Sequence, residues 1–550
     1  MKKKKMTVLA SLLLASAMFA GCSSGFSGNE SKPADNGSGQ TSGTTTAAAK
    51  DLKVYVENEI KDLSQWKASD DVSFTILNNV EEGLYRLDLK NEPQPAMAEK
   101  VDVSEDKLTY TFTLRDNAKW SDGTPVTAQD FKYAWLNELN PKIGTNGYSF
   151  IMTDYIVGAA EYAAGGSADQ VGIEAKDDKT LVVKLKQPTP YFLRLTSLAP
   201  YFPMKEEFVK SKGDGFAVGA DSMLFNGPYT VASVDAASGA VLEKNPGYWD
   251  AANVKIDKVD VKVIKEKSTA LNAYKAGQLD RVLLSSSDVN ASKSDPGFGT
   301  GINFKTTYLQ FNTKADGVSN VNIRKALKYG FDSKLLADQV LNNGSKAATG
   351  LIPDVMSGLD GKSFREMQGD LVGVDVAKAK EYWDQGVKEL GKAPKITMLV
   401  ADTSDVKDVA TFMQSEYKKN LGIDVVIDTK TSKARNQLMD NSNYQMGITA
   451  WGADYDDAMT YLDLWANHTP YRGNYENANY DKLIADAKKE TDEQKRIEML
   501  LAAEKTLLDD DVVVVPIYFG GYSYLLNSRV QNLEYHPYGN PVDFKYADVK

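Results

Sequence analysis

The sequence predicts a mixed α/β protein of several domains, and three observations carry that reading. Between Leu108 and Trp135, Leu108, Tyr110, Phe112 and Leu114 alternate with Thr109, Thr111, Thr113 and Arg115, the period of a half-buried strand. Turn chemistry at Asn117, Ser121-Asp122-Gly123 and Pro125 follows, then Thr127-Ala128-Gln129-Asp130, a helix start with a capping hydroxyl and a first-turn acid. From Ile396 to Trp451 the pattern runs strand (396–400), helix (406–421), strand (423–427), helix (433–439), strand (445–451), a βαβ order that gives a right-handed crossover. Finally, 550 residues with 42% hydrophobic and 10% aromatic side chains suffice for roughly two to four domain cores.

Taken in order, residues 1–21 read as an export signal: Lys2 to Lys5 are basic, Val8 to Phe19 are apolar, and Ala20-Gly21 are small. The apolar run is too short to span a bilayer, which takes ~20 residues. Cys22 is the single cysteine, so no internal disulfide can form. Phe19-Ala20-Gly21-Cys22 resembles a bacterial lipobox, with Phe19 in place of the usual Leu; the resemblance implies that Cys22 is lipidated and becomes the mature N-terminus. A diacylglyceryl group supplies the two chains that stable anchoring needs. Residues 22–50, rich in Ser, Gly, Thr and Ala, form no core and read as a flexible tether spanning ~30 Å.

Beyond the tether, Leu52–Val56 opens the fold as a strand, and Leu181–Leu185 is a second, closed by Pro188 and Pro190. Phe225–Val231 begins a strand-turn-strand unit that ends at Asn245–Asp250. Loss of Lys2 to Lys5 with the signal leaves the mature chain four charges more negative than the −11 of the full chain. That balance argues against nucleic acid and anionic lipid as partners.

Ala98-Glu99-Lys100 and the block LTYTFTLRDNAKWSDGTPVTAQDFKYAW (108–135) resemble the signature of the peptide/nickel class of bacterial extracellular solute-binding proteins. Tyr308–Asn312, Asn320–Leu327, Trp451-Gly452-Ala453-Asp454-Tyr455 and Asn479–Leu483 continue the likeness. The resemblance implies a periplasmic-binding-protein type II-like fold, two lobes around a hinged cleft with an additional α+β domain. Carried onto this chain, lobe I is 51–82, 203–303 and 520–550, the accessory domain 83–202, and lobe II 304–519. It further implies a lipid-anchored, monomeric oligopeptide receptor on the outer face of the cell membrane, serving the permease and ATPase subunits of an ABC importer.

Enzyme signatures are missing. His468 and His536, the two histidines, lie in no H-E-x-x-H segment. Gly361-Lys362-Ser363 lacks the phosphate-loop glycine at 356, where Met356 stands. Asp454, Asp456 and Asp457 do not match the calcium-loop pattern. A count of two histidines also argues against a nickel site, and no cofactor or metal is expected. In relatives the aspartate of W-x-A-D-Y holds the peptide α-ammonium; here that is Asp454. The residue-level alternatives are an N-cap for the helix beginning near Asp457 and an exposed acid. The resemblance also implies β-augmentation, the ligand backbone pairing with Ser69-Asp70-Asp71 on lobe I and Ala450-Trp451-Gly452 on lobe II. The strand Met446–Ala450 carries no cation for a short peptide's carboxylate; Arg435 and Arg472 are the nearest in sequence. Competing readings are a dipeptide or other small-solute receptor, a peptide-sensing signalling lipoprotein, and a surface hydrolase.

Overall fold

The computed structural model describes residues 50–550 except 69, 144–147, 467 and 539–541. The expected signal, Cys22, almost all of the tether, and Ser69 therefore lie outside the described residues.

Three sheets organise the chain. The first is four-stranded: Asp51–Val56 runs parallel to Lys258–Val263, which pairs antiparallel with Gly239–Lys244 and that with Tyr229–Asp235. The strand-turn-strand unit expected after Phe225 is the last pair. The second four-stranded sheet, Ala98–Val103, Thr109–Leu114, Thr180–Lys184 and Ile173–Ala175, contains the signature strand. Its helix, Ala128–Glu138, starts with the expected reciprocal cap: Thr127 Oγ1 accepts from Asp130 N, and Asp130 accepts from Thr127 N. The signature side chains are structural. Trp120 Nε1 donates to Asp130 (3.1 Å) and Trp135 Nε1 to the Tyr201 carbonyl (2.8 Å). One apolar core, including Leu52, Phe112, Trp135 and Tyr229, runs through both sheets.

The third sheet is seven-stranded, in the order Arg281–Leu283, Val514–Leu526, Phe298–Phe311, Met446–Gly452, Ile396–Ala401, Val425–Lys430, with Lys346–Ala347 beside Val514–Leu526. A separate core including Tyr308, Met398 and Trp465 packs against it. The βαβ unit is parallel, as its order predicts, with the helix Ser404–Leu421 as crossover. Its second strand begins at Val425 rather than Ile423, because Gly422, at φ 72°, caps the helix and the chain needs two further residues to turn.

Two long antiparallel strands, Phe298–Phe311 and Val514–Leu526, link the Arg281 edge to the body of this sheet. Their register shifts twice, between Thr307 and Tyr308 and, more widely, in the middle: Ile302 faces Gly521, and the next pair is Thr306 with Phe519. Asn303, Phe304 and Lys305 bulge out opposite Gly520. A bulge bends its strand and redirects side chains, and these three residues line the cavity described next.

Candidate functional site

A cavity of about 320 Å³ gathers six separate segments, contributing among others Asp71, Tyr148, Leu198, Lys305, Asp454 and Tyr538. The Phe304 bulge is its anchor. Phe304 N donates to the Pro537 carbonyl (2.9 Å), while its own carbonyl accepts from Ala453 N (2.6 Å) and Tyr461 Oη (2.7 Å). The turn after Gly452 is thereby fixed, and with it Asp454, whose N–H donates to Thr460 Oγ1 (3.2 Å).

Three aspartates in four residues have three different fates here. Asp457 accepts Met459 N at the start of the helix Met459–Ala466 and meets Arg496 through two bonds of 2.8 Å. Asp456 accepts from Ser357 N (2.8 Å) and Ser357 Oγ (2.6 Å), with Arg194 3.7 Å away. The Asp454 carboxylate has no hydrogen bond or ion pair among the described residues. Helix capping thus falls to Asp457. Burial pushes the Asp454 pKa up to about 6, the signature of an acid held out of water without a partner.

Across the cavity stands the helix Asp71–Val80. Asp70 is its N-cap, its carboxylate accepting from Val72 N and Ser73 N (3.2 Å each) and its carbonyl from Phe74 N. Asp70 is therefore occupied by the helix, while Asp71, in the first turn, faces the cavity. Burial raises the Asp71 pKa, Asp70 adds to the rise, and Lys305 opposes it. Tyr148 is pushed up to about 12 by burial and by the negative charge of Asp454 and Asp71. The cavity is anionic, with Lys305 as its one lining lysine or arginine among the described residues.

The strand Met446–Gly452 is paired along its length with Phe298–Phe311, but with Ile396–Ala401 only at Met446 and Gly447. Because Ala453 N points to Phe304, the antiparallel alternation turns Ala450 and Gly452 the other way, toward the unpaired edge. Trp451 points its backbone into the ladder. Arg472 donates to Tyr308 Oη (2.7 Å) and lies 5.2 Å from the Trp451 ring. Arg435 donates to the Ile448 carbonyl (3.1 Å). Neither arginine meets a carboxylate among the described residues.

Sequence reasoning missed Lys305, Phe304, Tyr148 and Pro537. The first two owe their place to a register break that alternation does not reveal, and the others come from segments with no local pattern. It gave no role to Tyr455, which stacks on Tyr191 (4.4 Å, 11°) and shares a hydroxyl contact with Tyr155 (3.2 Å), tying the 451–455 turn to the segments around 155 and 191. No three His, Cys, Asp or Glu side chains among the described residues are grouped to hold a metal.

Residues 92–473 match the family of bacterial extracellular solute-binding proteins, family 5 (middle region). The dipeptide-binding protein DppE of Bacillus subtilis is 34% identical, with 92% of each chain covered. The chain belongs to family 5. Among solved structures, the substrate-binding domain of an oligopeptide ABC transporter from Bacillus anthracis superposes with a TM-score of 0.75 at 35% identity, covering 92% of this chain and 99% of that one. OppA of Listeria monocytogenes, bound to peptide, gives 0.75 at 34%, covering 92% and 100%. The fold is thus the family 5 fold expected from the sequence. Family 5 members are substrate-binding proteins, not enzymes, and no described helix is long and apolar enough to cross a membrane.

Proposed function

We propose that this family 5 protein is an oligopeptide receptor, anchored outside the cell through a lipid on Cys22, that hands its ligand to the membrane subunits of an ABC importer. The observation that carries the reading is Asp454: a half-buried carboxylate, unpaired among the described residues, beside the open edge of Met446–Gly452. A peptide offers both complements at once. Its α-ammonium, with pKa ~8, supplies the counter-charge, and its backbone supplies donors and acceptors for Ala450 and Gly452. Opposite, the N–H groups of Asp70 and Asp71, at a helix start, have no intrahelical partner. Such pairing tolerates many sequences, because every peptide carries the same backbone. Relatives named as dipeptide- and oligopeptide-binding proteins support the ligand class.

In this reading the two lobes (51–82, 203–303 and 520–550; 304–519), with 83–202 as accessory domain, turn about the register break at 303–305 and 520. Ligand contacts on both walls favour the closed form. Native mass spectrometry of the purified protein tests the ligand class: co-purified masses should fragment as peptides, and a sugar or metal in their place contradicts the proposal. Metabolic labelling with a fatty-acid analogue tests the anchor. Label should vanish in Cys22→Ser, and its persistence would refute that assignment.

A further inference from the structure

Arg281 departs from the other buried arginines. Arg86, Arg365 and Arg496 meet carboxylates, and Arg324 donates to the carbonyls of Val318, Ser319, Asp511 and Val512. Arg281 is 5% exposed, yet it makes no hydrogen bond or ion pair among the described residues. Its neighbour Asp280 is committed elsewhere, to Arg529 (2.7 and 2.6 Å) and Lys53 N (2.9 Å).

A cage of three rings surrounds the guanidinium: Tyr535, Tyr524 and Tyr522, with centroids 3.4, 4.8 and 5.4 Å from Cζ. Two glycines on the neighbouring strand make room for it. A Cβ on Gly299 would lie 2.4 Å from the Tyr524 ring, and one on Gly301 2.3 Å from that of Tyr522. Ring faces balance charge but leave the guanidinium's five N–H donors without acceptors. Arg281 lines a cavity of about 200 Å³ that Asp71 also lines, so this cavity and the proposed peptide-binding cleft share a wall residue. Glu57 lines it too; Lys267 stands 3.8 Å from its Oε1, which has no hydrogen bond.

We infer that Arg281 is an anion subsite for the ligand, receiving the carboxylate of an acidic peptide side chain that passes Asp71. The planar fork of arginine suits a carboxylate, and stacking on tyrosine holds it in position. This inference rests on the peptide reading above.

Calorimetry on the full chain, with Glu walked through an otherwise neutral, C-terminally amidated peptide, tests it. At one position Glu should bind about 10–100-fold tighter than Gln, the range of one charge-assisted contact. Arg281→Gln should erase that ratio while leaving the neutral peptide's affinity and its dependence on Asp454 intact; Arg281→Lys should retain part of it. A neutral peptide with a free carboxylate serves as the second arm: an Arg281-dependent gain there, with none for Glu, assigns the subsite to the C-terminus and overturns the side-chain proposal. No Glu preference at any position in the wild type also overturns it. So does an equal loss for neutral and acidic peptides in Arg281→Gln, which would make the arginine a packing residue. Failure of every peptide to bind the wild type would instead sink the peptide reading, and this inference with it.

Discussion

Two groups of buried charge in this molecule obey opposite rules. Around Arg86, which is 4% exposed, every charge is answered. Its guanidinium bonds Asp543 (2.8 and 3.0 Å) and the Asn78 carbonyl (2.8 Å), with Glu82 at 3.4 Å; Glu82 also accepts from Tyr248 and Trp249. Although burial opposes it, Arg86 holds the Asp543 carboxyl below its usual range. In the cleft, Asp454 and Asp71 sit opposite each other with raised pKa values and no bonded cation among the described residues. The first group ties the C-terminal segment to the helix Asp71–Val80 and closes the fold. The second is left incomplete, and in the proposed function a cationic ligand completes it.

Breaking the first group should have the largest effect on folding. Arg86→Met strands two carboxylates in the core and should cost about 3–5 kcal/mol of stability, read as a lower midpoint in urea unfolding at neutral pH. An unchanged midpoint would remove the contrast.

Neutralising the second group should act with the opposite sign. An acid whose folded pKa lies above its unfolded value supports stability below the unfolded value, and that support is lost as pH rises through the folded one. For Asp454 the window runs from about 4, the unfolded value, to about 6. Asp454→Asn should therefore match the wild type below pH 4 and exceed it above pH 6 by up to about 3 kcal/mol. A destabilised Asn variant at pH 7.5 would show that the carboxylate has a structural partner.

The same titration governs affinity. Ammonium binding needs the ionised acid, so peptide affinity should fall about tenfold between pH 7.5 and pH 5, with the slope absent in Asp454→Asn. Isothermal titrations at several pH values give the answer directly. Equal slopes in the two proteins would place the titrating group elsewhere.

Much of the fold was legible because its signals are local. The capping pair Thr127–Asp130 and the βαβ unit at 396–430 sit where hydroxyl, acid and periodicity place them. At the site, the unpartnered state of Asp454 could not be read from W-x-A-D-Y. Asp456 and Asp457 have the same chemistry, and only tertiary contacts with Ser357, Arg194 and Arg496 separate them from it. Asp70 is extended, at φ −139° and ψ 155°, but its short side chain captures two N–H groups and starts a helix at Asp71, which the pattern of the segment does not announce. Lys305 and Phe304 depend on a three-residue bulge in a strand whose composition is unbroken.

The most direct test of the account is a double cycle of the protein variant Asp454→Asn and N-acetylation of the ligand. Removing one partner of a buried charge pair costs ~3–5 kcal/mol, so either change alone should weaken binding about 10²–10³-fold. Together they should weaken it no further, since both delete one contact. Calorimetry on the four combinations measures this. Losses that multiply, or an acetylated peptide that binds the wild type as tightly as the free one, would contradict the pairing of Asp454 with the peptide ammonium.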